Sequence, residues 1–407
     1  MAKPNNDKPM NAKDIFVVFS LVGCMAVSAV AASSGDGEPP VEQARATVIW
    51  SRTICHEPER YIGWPTVIRL ANGEILAVFS GDREGHICPW GKVQMVRSTD
   101  DGETWSAPQT IANGPIDDRD AGIVQMPDGD VVVTWFTSTA YRTKEFLSKA
   151  WTPKDPQYWW RRHDEKVSEE TRAAARGYFR IVSKDNGRTW SEPMRMTGVG
   201  TAPHGPTLLK DGSLFQIGIR EVRRTIAGTN AAGTAVGAWK SRDKGATWQC
   251  LCPDIPWTGD EGLVYIDLDE PNAVELADGM LIGLVRYNGA DRQLRQTVSR
   301  DGGRTWTPMT RTQIRGLPPQ TIRLTDGRLL CVYGRRVPPF GEFACLSDDG
   351  GRTWDVAHEI VLRPHHDGDL GYPSSCVLAN GDILTVYYQS RKVGEKPSLM
   401  ATKWRIK

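Results

Sequence analysis

The chain has 407 residues, with 50 Lys and Arg against 49 Asp and Glu, for a formal net charge of +1. With no basic excess there is little counterion release to drive binding. This excludes a general nucleic-acid or polyanion binder and leaves any anion to local arginines. The 40 glycines and 15 tryptophans suit a fold of many tight turns, each with an aromatic plug.

In chain order, Lys3, Lys8 and Lys13 precede an apolar run from Ile15 to Ala32, and a polar stretch follows from Ser33 to Pro40. This pattern predicts a secretory signal over 1–32 with a small-residue cleavage site at Ala29-Val30-Ala31, then a linker over 33–44. Leu21-Val22-Gly23-Cys24 offers the alternative of a bacterial lipobox, with lipid anchoring at Cys24. A secreted or periplasmic location follows from either. No other stretch approaches the length of a membrane span. Of the 8 cysteines, 7 remain without Cys24, an odd and scattered set that predicts at most a few disulfides and a free thiol. Cys250-Leu-Cys252 is too close for an ordinary metal pair and no Cys/His spacing reads as zinc, so neither a metal nor a cofactor is expected.

From Ala46 onward two motifs alternate. The first is a strand, an Asn-Gly or Asp-Gly turn and a second strand, with turns at Asn72-Gly73, Asp128-Gly129, Asp211-Gly212, Asp278-Gly279, Asp326-Gly327 and Asn380-Gly381. Such dipeptides between alternating apolar runs are strong hairpin signals. The second motif reads Ser-x-Asp-x-Gly-x-Thr-Trp and occurs at 98–105, 183–190, 241–248, 299–306 and 347–354. Its Asp can accept backbone N–H bonds within a loop, its Gly supplies φ > 0, and its Trp caps a neighbouring core. Six hairpins imply six blades of an all-β propeller over 45–407. The sixth hairpin lacks a box after it, as ring closure requires: its outer strands would come from Ala46–Trp50 and Leu399–Arg405. In blade two the distance from hairpin Gly to box Ser is 54 residues (129 to 183), against 20 in blade four (279 to 299). The extra stretch, about 141–175, carries Trp151, Tyr158, Trp159, Trp160, Arg161, Arg162 and a helix-like run over 165–176. It reads equally as a rim element whose aromatics stack on a sugar, and as a seal or subunit contact.

The repeated box resembles the Asp box of sialidase-like (BNR repeat) β-propellers. In blade four Glu270 stands six residues before Leu276 and Arg286 seven after Gly279, and both offsets are similar to those of sialidases. In the last blade Tyr372, with Leu378 and Gly381, resembles the pattern around their nucleophilic Tyr, with Pro373 in place of Ser. The resemblance implies that Tyr372 attacks, Glu270 takes its proton and Arg286 binds an anionic substituent. A neutral phenol suits an anomeric carbon that bears a carboxylate, because a carboxylate nucleophile would be repelled.

The chain also departs from that pattern. Gly63-Trp64-Pro65 stands where sialidases carry the first arginine of their carboxylate clamp, and no Asp occupies the position of their catalytic acid. His86 is the nearest suitable proton donor, with Asp82 and Glu84 as alternatives. Arg335, Arg336 and Arg83 are the candidates to complete the clamp. The cluster Asp117-Asp-Arg-Asp120, His204, and His365-His366-Asp367 are expected on the same face; His204 and His366 read either as partners of sugar hydroxyls or as partners of loop backbone, and His204 and Asp367 are candidate substrate-binding residues. The expected function is a retaining, exo-acting glycoside hydrolase that releases a terminal, acidic sugar from an extracellular glycan. The departures keep two alternatives: a propeller glycosidase for a uronic acid or deoxy sugar, and a non-catalytic propeller that binds glycans or proteins. Oligomeric state is not readable from the sequence.

Overall fold

The computed structural model describes residues 40–226, 229–257 and 268–407. The expected signal segment, with Cys24, lies outside the described residues. Within them, six antiparallel sheets form the six blades of a β-propeller. Blade one, for example, runs Tyr61–Arg69, Ile75–Arg83, Lys92–Ser98 and Gln109–Ala112 from the axis outward. Closure follows the expected route. In blade six Gly371–Val377, Ile383–Gln389 and Ser398–Ile406 come from the C-terminal end, and Ala46–Cys55 pairs onto the last of them. The short strand Val41–Glu42 adds to that edge.

The apolar core lies between blades. Both faces of the second strand of a blade meet a neighbouring sheet, so strands such as Val131–Ser138, Leu329–Arg335 and Ile383–Gln389 read as nearly continuous apolar runs. Phe215, Ile217 and Val236 of blade three pack on Ala273, Leu281 and Val285 of blade four, and equivalent clusters join the other neighbours around the ring.

The boxes lock these junctions. In the fourth, the Gly303 amide donates to Ser299 Oγ at 2.9 Å, the Thr305 amide donates to Asp301 Oδ1 at 2.9 Å, and Trp306 Nε1 donates to the Gly303 carbonyl at 3.0 Å. The Thr305 hydroxyl above all, then the Thr305 amide and the Ser299 hydroxyl, donate to the Asp301 carboxyl and hold it down at about 2. Gly303 sits at φ 91°, and a Cβ there would come within 2.5 Å of the Phe215 ring in blade three. Each such turn therefore presses on the preceding blade and seals it with a Trp. Replacing the buried Trp306 with Ala is expected to cost about 3–5 kcal/mol of stability, read by thermal or urea unfolding. Activity per folded molecule should hold; a folded variant without turnover would contradict a scaffold role for the box.

The blade-two insertion forms three short helices, Lys144–Ser148, Pro156–Asp164 and Glu169–Ala175. The helix expected near 165–176 is the last of these, capped by Ser168. Buried Arg172 donates to Asp164 Oδ1 at 2.6 Å, and Tyr141 donates to the same oxygen at 2.8 Å, which ties the helices into one unit. All seven cysteines of the described residues are free thiols. No helix among the described residues is long and apolar enough to cross a membrane.

Candidate active site

A cavity of about 310 Å³ opens at one end of the propeller axis, lined by Tyr372, Glu270, Arg286, Arg336, Arg119, Asp120, Asp269, His86 and residues of blade three. Four innermost strands deliver residues to this region by the same device. Trp64, Asp120, Glu270 and Tyr372 all have positive φ, at 56°, 51°, 41° and 53°, and each coincides with a register shift against the second strand of its blade. A bulge bends the strand and re-aims the side chain it carries. Positive φ costs a non-glycine residue roughly 1–2 kcal/mol, so the ring stores strain where it presents these groups. All four stand nine residues before their hairpin glycines (64 to 73, 120 to 129, 270 to 279, 372 to 381).

The Tyr372 hydroxyl donates to Glu270 Oε1, and Arg286 Nη1 donates to Glu270 Oε2. Arg286 is held in turn by Asn288, whose Oδ1 accepts from Nε at 2.7 Å. Burial alone would raise the Glu270 carboxyl, but Arg286, the Tyr372 hydroxyl and Arg336 outweigh it and hold it below its ordinary value. Glu270 is therefore an ionised acceptor at neutral pH. The Tyr372 hydroxyl is driven well above its ordinary value, first by burial and then by the charges of Glu270 and Asp120. It keeps its proton until something pulls on the oxygen.

Arg336 lies over Tyr372, its guanidinium carbon 5.4 Å from the ring centroid, and is fixed by Nη2 donating to Tyr388 Oη at 2.8 Å and Nε to the Leu370 carbonyl at 2.9 Å. Arg119 rests on Trp64, 4.4 Å from the ring centroid, with Nε 4.0 Å from Asp120 Oδ1. Three guanidiniums thus face one cavity.

Two proton carriers share it. His86 Nδ1 is 3.1 Å from Tyr61 Oη, and Tyr61 donates to Asp369 at 2.6 Å. Burial, followed by Arg119, Arg336 and Arg83, pushes the imidazole down to about 4, so the ring is neutral at pH 7. Burial raises the Asp120 carboxyl to about 7, against the pull of Arg119. This has a consequence for stability. An unfolded Asp releases its proton near pH about 3.9, whereas folded Asp120 holds it to about 7. The folded state therefore binds more protons between those values, and stability falls as pH rises through the window. Asp120→Asn should flatten that fall by an amount on the order of a few kcal/mol, seen as a difference in unfolding free energy that grows from pH 4 to 7. Parallel curves for the two proteins would refute it.

The remaining sequence candidates lie elsewhere. Asp82, an expected acid, is paired with Lys92 and, at 3.1 Å, with Arg60, and does not line the cavity. Glu84 accepts from Trp160 Nε1. Arg83 is fully buried and bound to Asp117, with Nη2 to Oδ2 at 2.8 Å, on the Trp64 ring at 4.8 Å. Arg335 turns away to Glu359 and the Arg315 carbonyl. His204 is buried behind the wall, with Nδ1 3.2 Å from Thr66 Oγ1 and its ring 6.2 Å from that of Tyr372. His365, His366 and Asp367 gather at Ser390, whose Oγ is 3.2 Å from both Nε2 atoms, outside the cavity lining. Arg119, Asp120 and Asp269 received no individual role from the sequence. The nine-residue offset was the signal that marks Asp120, and with it the neighbouring Arg119.

A family model for the BNR repeat-like domain matches residues 156–385. Among curated proteins the chain is 23% identical over 353 residues to a sialidase of Bacteroides fragilis, covering 80% of this chain and 59% of that one. It is 24% identical over 355 residues to a sialidase of Micromonospora viridifaciens, covering 79% of this chain and 49% of that one. The chain thus spans only about half of each relative's length. Among solved structures, a protein of unknown function from Dyadobacter fermentans matches with a TM-score of 0.69 at 23% identity, over 90% of this chain and 99% of that one. Hadza microbial sialidase Hz136 matches with a TM-score of 0.58 at 16% identity, over 88% of this chain and 68% of that one. With five Asp boxes, six blades and the matched domain, the chain belongs to the BNR repeat-like family, as a sialidase-like six-bladed β-propeller.

Proposed function

We propose that the protein is a secreted or periplasmic retaining glycoside hydrolase that removes a terminal acidic sugar from a glycan. One observation carries the reading: a tyrosine hydroxyl bonded to an ionised, arginine-held glutamate, under three guanidiniums, in one cavity. The named activities of the sialidase relatives support it.

In this reading the sugar carboxylate sits among Arg119, Arg286 and Arg336, which present planar donor forks to an anion. Tyr372 Oη attacks the anomeric carbon and gives its proton to Glu270 as the carbon–oxygen bond forms, so no free phenolate is required. His86 protonates the leaving oxygen. The bound carboxylate offsets the arginines that depress this imidazole, and so raises it toward the working range. Water, with His86 now as base, then frees the sugar from Tyr372 with net retention.

Trp64, in the place of a clamp arginine, favours a second reading of the substrate: another acidic sugar, such as a uronic acid, bound by a rearranged clamp. Arg119 stands on Trp64, which fits that rearrangement. The test is hydrolysis of fluorogenic glycosides, including a sialoside and a glucuronide, by wild type and Tyr372→Phe. Cleavage of one that disappears in the variant identifies the sugar. A folded protein silent on the whole panel would favour a binding propeller.

A further inference from the structure

Ring closure does not require the three-helix insertion of blade two. Its helix Pro156–Asp164 leans on the loop at 84–87 of blade one, where Trp160 Nε1 donates to the Glu84 carboxylate, and on the connection into blade two, where His163 Nε2 lies 3.1 Å from the Pro115 carbonyl oxygen. Between helix and loop lies a second cavity of about 580 Å³, lined by Trp160, Pro156, Gln157, Ile87, Lys396 and His86 among others. His86 also lines the catalytic cavity, so the two spaces meet at that ring.

We propose that this groove is the subsite for the leaving-group sugar, the pyranose on the far side of the bond that is cleaved. The proposal rests on the glycosidase reading above. Position is the first argument. If His86 protonates the leaving oxygen, what departs lies next to His86, and that ring lines the groove as well as the first cavity. Composition is the second. The indole of Trp160, with Ile87 and Pro156, suits the C–H face of a pyranose, while Gln157 supplies a hydroxyl partner at the edge. Fixation is the third. The bond to Glu84 holds Trp160 against blade one, so the platform is ordered before substrate arrives. The occupant is thus a second sugar, and the natural substrate an oligosaccharide or glycan chain end.

The test compares Trp160→Ala, Trp160→Phe and wild type on two substrates that share the terminal sugar found by the panel: its glycoside to lactose and its 4-methylumbelliferyl glycoside. Trp160→Ala should lower kcat/KM on the lactose conjugate about tenfold more than on the umbelliferyl glycoside, with Trp160→Phe recovering most of the difference. Equal losses on both, or no loss, would overturn the proposal. Free lactose is a second probe, followed by saturation-transfer NMR on Tyr372→Phe and on Tyr372→Phe/Trp160→Ala. It should contact the first protein and not the second; this reading stands even if no glycoside is ever cleaved, so failure of the groove and failure of the glycosidase assignment are separable. Lactose contact unchanged by loss of Trp160, or a change in oligomeric state by light scattering in the Trp160→Ala variant, would reassign the groove as a seal or an interface between copies.

Discussion

Tyr372→Phe should lower kcat on the cleaved glycoside by on the order of 10³-fold or more, with a much smaller effect on KM. The change deletes one oxygen, and in the proposed mechanism that oxygen forms the bond to the sugar. Glu270 cannot replace it as nucleophile, because it is engaged by Arg286 and would meet the substrate's own carboxylate as a like charge. The structural cost is small. Glu270 keeps its bond to Arg286, and losing one hydrogen bond is worth about 1 kcal/mol. Steady-state kinetics together with a thermal melt decide the matter: a folded variant with near wild-type turnover would remove Tyr372 from the mechanism.

Arg286→Met should affect both stability and function. It leaves the Glu270 carboxylate buried without its ion-pair partner, an arrangement that typically costs about 3–5 kcal/mol. The same change lets burial dominate and raises the Glu270 carboxyl, so the acceptor for the Tyr372 proton is lost at neutral pH. Most of the stability, but none of the activity, should return in Arg286→Met/Glu270→Gln, because the second change removes the stranded charge. Unfolding free energies of the two single variants and the double variant form a cycle that measures the coupling. If the single costs in stability simply add, the two groups are not coupled as the structure places them.

Much of the fold was legible because its signals are local. A box closes its hydrogen bonds within eight residues, Ser98 to Trp105, and a hairpin closes around Asn72-Gly73, so neither depends on distant chain. Their alternation yields the blade number and the unpaired sixth hairpin, from which closure by a strand at Ala46–Trp50 is expected; the strand found runs Ala46–Cys55. Glu270, Arg286 and Tyr372 were legible because their spacing to the same turns resembles that of sialidases. The structure adds that these groups, 102 residues apart in the case of Tyr372 and Glu270, meet in one hydrogen-bonded set.

Choice among adjacent residues was a different problem. Arg335 and Arg336 are neighbours in sequence, yet one is drawn to Glu359 and the other to Leu370 and Tyr388 above the cavity. Arg83 and Arg119 both touch Trp64, but Asp117 claims the first and leaves the second facing the cavity. Asp82 lies at the end of the strand Ile75–Arg83 and His86 on the loop that follows; Lys92 takes the carboxylate out of use, while the imidazole meets Tyr61. Strand alternation cannot rank such pairs, because bulges at Trp64, Asp120, Glu270 and Tyr372 break the two-residue period where the site is built. Turn chemistry inside the sequence therefore determined the ring and the nine-residue offset of its inward groups. Which charged groups remain available to a ligand was decided by partners from elsewhere in the same blade, such as Glu359 and Lys92, and from neighbouring blades, such as Asp117 and Tyr388, and these meet only in the folded ring.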